Sequence, residues 1–181
     1  MKPGLFVALL RGINVGGKNK LPMPDLVALF AEAGCIAVQT YIQSGNIIFQ
    51  ASPEIAAGLP SQISASIAER FGLRVPVVLR TAEQLAETFR TNPFLAQGMP
   101  EEAQHIMFLA DLPLPEHVAG LDTSRSSPDA FVVQSRDIYL YLPNGVADTK
   151  LTNAYFDAKL ATVSTSRNWK TVTKLVELIE R

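Results

Sequence analysis

Ala37-Val38-Gln39-Thr40-Tyr41-Ile42-Gln43-Ser44-Gly45-Asn46-Ile47-Ile48-Phe49-Gln50 is two runs rich in β-branched and aromatic residues, joined by a Ser-Gly pair. This is hairpin composition, with strands over Ala37–Gln43 and Asn46–Gln50 and the bend at Ser44-Gly45. Upstream, Leu26, Val27, Leu29, Phe30 and Ala33 make an apolar stripe that opens at Pro24 and stops at Gly34, which predicts a helix. Before it, Leu5–Leu10 is a short apolar run between Gly4 and Gly12 and suits a buried strand. Downstream of the hairpin, Ile63, Ile67 and Phe71 recur at helical spacing up to Gly72, with Pro60 as a candidate kink, and Val75–Arg80 is again strand-like. The order strand, helix, hairpin, helix, strand is the split β-α-β, or ferredoxin-like, pattern with an antiparallel sheet.

The second half follows the same order. Thr81-Ala82-Glu83-Gln84 is a capping box that opens a helix carrying Leu85 and Phe89, closed at Asn92-Pro93 and followed by a connector. Strands are expected at His105–Ala110, Ala130–Ser135 and Ile138–Leu142, with Arg136-Asp137 at the bend of the last two and a short helix near Pro115–Leu121. Tyr155–Leu160 is helical, Thr162–Ser164 is a short strand, and Asn168–Glu180 is an amphipathic helix burying Trp169, Val172, Leu175 and Ile179. Asp122–Asp129 is a polar loop without a counterpart in the first half. The expected fold is α+β, two ferredoxin-like subdomains with mainly antiparallel sheets and a C-terminal helix. Their expected spans are 1–80 and 105–181, with a helical connector over 81–104. The repetition is one of topology, without matching residues.

The 181 residues include 48% hydrophobic and 18% charged side chains, enough apolar surface to exclude wholesale disorder and too short a chain for a large multidomain machine. Sixteen Lys and Arg against 17 Asp and Glu leave a formal charge of −1, so no global basic field exists for nucleic acid or an anionic membrane. One cysteine and two histidines exclude an internal disulfide and a Cys/His-rich zinc centre, and no metal site is expected. The N-terminal apolar run ends at Arg11, too early for a signal or a membrane span, which places the protein in the cytoplasm as an expectation.

Functional groups are densest in Arg11-Gly12-Ile13-Asn14-Val15-Gly16-Gly17-Lys18-Asn19-Lys20, directly after the first strand. Glycine N–H groups with lysine and arginine charges suit an anion. The frame Gly12-x-x-x-x-Gly17-Lys18 matches a Walker A loop until Asn19 replaces the metal-binding hydroxyl, and Pro22 and Pro24 stop a helix from starting at Lys18. The plain structural alternative is that the glycines only turn the chain and the lysines sit in water. In a split β-α-β sheet the end of the first strand and the bend of the hairpin share one rim, so Arg11–Lys20 should meet Gln43-Ser44-Gly45-Asn46 beside the start of the first helix. Basic residues concentrate with these segments: residues 1–24 hold Lys2, Arg11, Lys18 and Lys20 and no acid, and residues 150–174 hold five bases against Asp157. Residues 82–137 carry nine acids against three bases. Arg167-Asn168-Trp169-Lys170 opens the last helix, and Lys150 and Arg167 should share a rim of the second sheet.

Other candidates carry less. Ser44 lacks a nucleophile elbow, neither His105 nor His117 is placed as its base, and Cys35 after Gly34 suits a buried small hydrophobe. Glu101-Glu102 reads as a solvated helix start, and Tyr139 and Tyr141 lack the stacking motif of an RNA-reading sheet.

Ala8-Leu9-Leu10-Arg11-Gly12-Ile13-Asn14-Val15-Gly16-Gly17, Thr40-Tyr41-Ile42-Gln43-Ser44-Gly45-Asn46 and Arg167-Asn168-Trp169-Lys170-Thr171, in this order, resemble the domain-of-unknown-function 1697 family of bacterial proteins. The resemblance spans nearly the whole chain and implies two ferredoxin-like subdomains and no assigned activity. The family's motif positions fall on Arg11, Asn14, Gly16, Gly17, Gln43, Ser44, Asn46, Lys150, Arg167, Asn168 and Trp169.

The expected function is binding of a phosphate- or carboxylate-bearing small molecule or nucleotide. Gly16 and Gly17 N–H groups with Arg11, Lys18 and Lys20 would hold the anion; Asn14, Gln43, Ser44 and Asn46 would recognise amides or polar groups; Lys150, Arg167 and Asn168 would extend the set. No general base lies in these segments, so no reaction, catalytic residue or cofactor follows. A nucleic-acid or protein-binding module using the local basic surface is the alternative, and a purely structural role for the motifs is a third.

Overall fold

The computed structural model describes residues 3–181. Lys2, counted above among the basic residues, lies outside them. The chain divides into two compact units, one reaching to Leu85 together with Arg181 and one over Ala86–Glu180. Each holds a four-stranded antiparallel sheet in ferredoxin-like order.

In the first unit β1 (Gly4–Leu10), α1 (Met23–Glu32), β2 (Ile36–Tyr41), β3 (Asn46–Ala51), α2 (Pro53–Phe71) and β4 (Val77–Thr81) build a sheet ordered β2-β3-β1-β4. Strand alternation sends Phe6, Ala8, Leu10, Ile47, Phe49 and Val77 to one face, where they pack with Leu26, Leu29 and Phe30 of α1 and Leu59, Ile63 and Ile67 of α2. Pro60 does not break α2, which runs on to a left-handed cap at Gly72. An interior proline costs roughly 3 kcal/mol, and each fully buried Leu or Ile along the same helix returns about 1.5–3 kcal/mol, so burial wins. Pro24 is the second helical residue of α1, not the first, because Pro22 already occupies the cap position.

The helix α3 (Ala82–Arg90) follows β4 directly, with Thr81 and Gln84 exchanging the two hydrogen bonds of a capping box. After α4 (Pro93–Ala96) and a 3-10 turn at Glu101–Ala103 come β5 (Gln104–Leu109), α5 (Pro115–Ala119), β6 (Ala130–Gln134), β7 (Asp137–Tyr141), α6 (Asn153–Leu160), β8 (Ser164–Asn168) and α7 (Trp169–Ile179). The sheet order is β6-β7-β5-β8, the same arrangement as in the first unit. Met107, Leu109, Ile138 and Leu140 pack with Tyr155, Phe156 and Leu160 of α6.

Three sequence expectations are corrected here. The last strand is Ser164–Asn168, not Thr162–Ser164; it contains no apolar residue and is a strand because its backbone pairs with β5 from His105↔Asn168 to Leu109↔Ser164. The β6–β7 bend is Ser135-Arg136, with Gln134 opposite Asp137 and Ser135 at φ 53°. On α7 the buried residue of the last turns is Val176; Ile179 is only half-buried, because the helix end leaves the core there. The remaining strand and helix limits differ by a few residues at most.

Candidate ligand-binding rim

The rim forms where β1 ends. Leu10 N–H donates to Gly45 O at 2.8 Å and Arg11 N–H to Pro76 O at 3.0 Å, so the exit of β1 is held against the hairpin bend on one side and the entry to β4 on the other. Arg11–Lys20 and Gln43–Asn46 therefore meet at the same edge of the sheet. The bend fits because residue 45 is glycine: it sits at φ +81°, and a Cβ there would stand 2.7 Å from Leu10 Cβ and 3.1 Å from Ile13 Cδ1.

The loop over residues 11–22 is anchored and braced. Ile13 and Leu21, both buried in the core of the first unit, pin its two legs. Asn14 ties them together: its Nδ2 donates to Leu21 O and to Gln43 O, each at 2.9 Å, and its Oδ1 accepts from Leu21 N–H at 2.9 Å. Asn14 N–H donates to Asn19 O at 3.1 Å, and Asn19 Nδ2 donates to Gly12 O at 2.8 Å. Above this brace the chain turns at Val15-Gly16-Gly17-Lys18, closed by Lys18 N–H on Val15 O at 3.0 Å, with Gly16 at φ 58° and Gly17 at φ 75°. Two consecutive positive φ angles are the signature of a tight hairpin turn that glycine supplies without steric cost.

The sequence-predicted residues thus fall into two groups. Asn14 has both donors and its acceptor engaged by backbone, and the fully buried Asn46 donates through Nδ2 to Tyr41 O at 3.2 Å and Ser44 Oγ at 3.1 Å. Gln43 enters the rim through its backbone carbonyl while its side chain is exposed. Gly16, Gly17, Lys18 and Lys20 are exposed, and among the described residues the Gly16 and Gly17 N–H groups meet no acceptor. Arg11 is half-buried. No carboxylate occurs between residues 11 and 20.

Lys150, Arg167 and Asn168 lie in the second unit. Lys150 is exposed; its backbone carbonyl accepts from Arg125 Nε at 3.0 Å and its N–H donates to Ser126 Oγ at 2.9 Å. Arg167 is buried, and its Nη1 donates to Thr165 Oγ1 at 2.9 Å and to Ser166 O at 2.8 Å; burial pushes its pKa down to about 10. Asn168 caps α7 through Oδ1 on Thr171 N–H at 2.8 Å. Trp169 is buried and stacks on Phe89.

Three features escaped sequence reasoning. Ile13 and Leu21 are the anchors of the loop, hidden because each is a single apolar residue in a polar stretch. Arg80 is a second buried arginine, visible in retrospect because Arg80-Thr81 precedes a helix as Arg167-Asn168 does. The residues set aside sit in structural places: Cys35 is buried with its thiol pKa pushed up to about 11 by desolvation, Tyr139 is buried with its hydroxyl on Thr88 O at 2.9 Å, and Glu101 and Glu102 are exposed. Among the described residues no group of three or more His, Cys, Asp or Glu is assembled to hold a metal ion, and no helix is long and apolar enough to cross a membrane.

A family model described as a protein of unknown function, DUF1697, matches residues 4–139. Among solved structures the chain is similar to the conserved bacterial protein SP0830 from Streptococcus pneumoniae, with 22% identity over 98% of this chain and 99% of that one and a TM-score of 0.73. That likeness establishes the fold. No curated protein matches this sequence.

Proposed function

The chain belongs to this family of unknown function, and from its own residues we propose that the loop between β1 and α1 binds the anionic group, phosphate or carboxylate, of a small molecule or nucleotide. One observation carries the reading: the glycine turn is braced from below by Asn14, while the Gly16 and Gly17 N–H groups and the Lys18 and Lys20 side chains stand in solvent with no carboxylate in the segment. A pre-ordered loop loses little conformational entropy when it binds, and N–H groups with adjacent ammonium groups are donors suited to a charged oxygen. The amides of Asn14 and Asn46 serve in this reading as supports of the loop and not as ligand contacts. A bacterial cytoplasmic setting belongs to the same proposal; the solved relative is bacterial, and a single buried cysteine suits a compartment without disulfides.

Thermal-shift titration with inorganic phosphate, nucleotides and phosphorylated or carboxylated metabolites at modest salt tests it. A binder at about 100 times its Kd stabilises by roughly 2.7 kcal/mol. Replacing Lys18 and Lys20 together by Gln should weaken its affinity by about tenfold or more. A panel without a single stabilising anion, or a binder indifferent to the double replacement, would sink the reading.

A second reading is favoured by Val15 and Ile42, which are 61% and 51% exposed on the loop and on the hairpin bend. Apolar side chains beside lysines suit a macromolecular surface, either nucleic acid or protein. Nucleic-acid binding that falls steeply with log salt, without stabilisation by any small anion, would select it.

A further inference from the structure

The rim that carries the glycine turn has a third side. Arg11 N–H donates to Pro76 O, so the segment between α2 and β4, residues 72–76, borders the exit of β1. That segment is held in place: Val75 is buried, and its carbonyl accepts from Ser64 Oγ at 2.9 Å. Arg74, next to it, is exposed, and among the described residues no carboxylate pairs with it.

Charge is sorted along this rim. The three segments that border it, residues 11–24, 42–46 and 72–76, contain Arg11, Lys18, Lys20 and Arg74 and neither Asp nor Glu. Two acids that flank these segments in the chain, Asp25 and Glu69, join Glu32 as counter-charges of Arg70. In a chain of net charge −1, cations gathered without acids set up a local positive field that draws anions.

The donors of the rim stand in two places. Arg74 sits beside the exit of β1, on the backbone that Arg11 N–H holds. The Gly16 and Gly17 N–H groups and Lys18 sit at the tip of the loop, beyond the legs closed by Asn14 N–H on Asn19 O and Lys18 N–H on Val15 O. At ~3.3 Å of rise per residue, even a short leg exceeds the span of one phosphate or carboxylate group. A single anionic group at the tip therefore leaves the guanidinium of Arg74 unused.

We propose that the ligand of this rim carries two anionic groups, one taken by the Gly16 and Gly17 N–H groups with Lys18 and Lys20, the other by Arg74 beside the exit of β1. A diphosphate or bisphosphate ester is the class that fits, because the planar fork of a guanidinium matches a phosphoryl group with two parallel hydrogen bonds. The proposal rests on anion binding by the glycine loop and adds to it the number of anionic groups and the residue that selects for the second.

Calorimetric titration of the full chain with inorganic phosphate and with pyrophosphate, at fixed pH and ionic strength, separates the two claims. Pyrophosphate should bind about tenfold more tightly than phosphate, and Arg74→Gln should bring it down to the phosphate level while leaving phosphate itself unchanged. Arg74→Lys, which keeps the charge and loses the fork, should fall between. Arg74 is exposed, and an unchanged circular dichroism spectrum verifies that the variants fold. Equal affinity for the two probes overturns the proposal and leaves the glycine loop as a site for one anionic group. A preference for pyrophosphate that survives Arg74→Gln also overturns it, because the gain then comes from the extra charge of the probe alone. Failure of both probes to bind the unaltered chain overturns phosphate binding by the glycine loop, and the proposal with it.

Discussion

Arg80 and Arg167 occupy the same place in the two sheets. Each is the penultimate residue of the fourth strand, β4 or β8, opposite Val7 in one case and Ile106 in the other, on the sheet face away from the core of that unit's two crossover helices. Each guanidinium is buried and donates through Nη1 to the carbonyl of the preceding residue, Leu79 at 3.0 Å or Ser166 at 2.8 Å. Each precedes a residue, Thr81 or Asn168, that caps the next helix. The internal repeat is therefore one of residues as well as topology at this position, which corrects the sequence reading.

Replacing Arg167 by Lys should lower stability by about 1–2 kcal/mol, since the shorter, more strongly hydrated ammonium is costlier to bury and does not reach the position from which Nη1 meets both Thr165 Oγ1 and Ser166 O. Urea unfolding followed by circular dichroism measures this, and Arg80→Lys should behave alike. Full stability in both variants would show that the guanidinium geometry is dispensable.

Asn14→Ala removes the brace under the glycine turn and leaves Leu21 N–H, Leu21 O and Gln43 O to find other partners. A loss of about 1–3 kcal/mol is expected, together with faster amide exchange at Leu21. A loss confined to ligand affinity, with unchanged unfolding, would instead make Asn14 a ligand contact.

Gly45→Ala should be far more damaging than Gly16→Ala. Both positions have positive φ, which costs a side chain about 1–2 kcal/mol, but only at Gly45 does the new carbon meet neighbours at 2.7 and 3.1 Å; at Gly16 nothing lies within 4 Å. The expected losses are about 2–4 kcal/mol for Gly45→Ala and at most about 2 kcal/mol for Gly16→Ala, read from denaturation midpoints. Equal effects would remove the packing argument for the bend.

Stability should fall on both sides of neutrality through the half-buried His105 and the buried Cys35. Burial pushes His105 below its ordinary 6.5, with the Ala103 carbonyl pulling the other way, so the folded state prefers the neutral ring. That contribution is present above pH 6.5 and is lost as pH falls below it. Cys35, pushed up from 9.0 to about 11, prefers its thiol in the folded state; its contribution is present below pH 9.0 and is lost as pH rises toward 11. Urea midpoints across pH should show both limbs, with His105→Gln flattening the acid one and Cys35→Ala the alkaline one.

The strands that bury a whole face, such as Leu5–Leu10, were legible because apolar runs bounded by glycine have few alternatives. The shared rim was legible for a different reason: chain direction in a split β-α-β sheet dictates which loops are neighbours. Ser164–Asn168 was not, since nothing in Ser-Thr-Ser-Arg-Asn marks a strand apart from a partner supplied by residues far away in sequence. The candidate site was half legible. Its residues were identified, but Asn14 and the Lys18 ammonium are equally polar on the page of a sequence, and only hydrogen-bond geometry separates a brace from an exposed charge.

Trp169 is the only tryptophan in the chain, and it lies 2% exposed against the Phe89 ring, 5.1 Å between centroids and 5° from parallel, with both residues in the second unit. Intrinsic indole emission therefore originates in that unit, whereas the far-ultraviolet signal comes from the helices and strands of both. Superposition of the emission and far-ultraviolet transitions along one denaturation curve is then a direct measure of whether the two units melt as a single cooperative body.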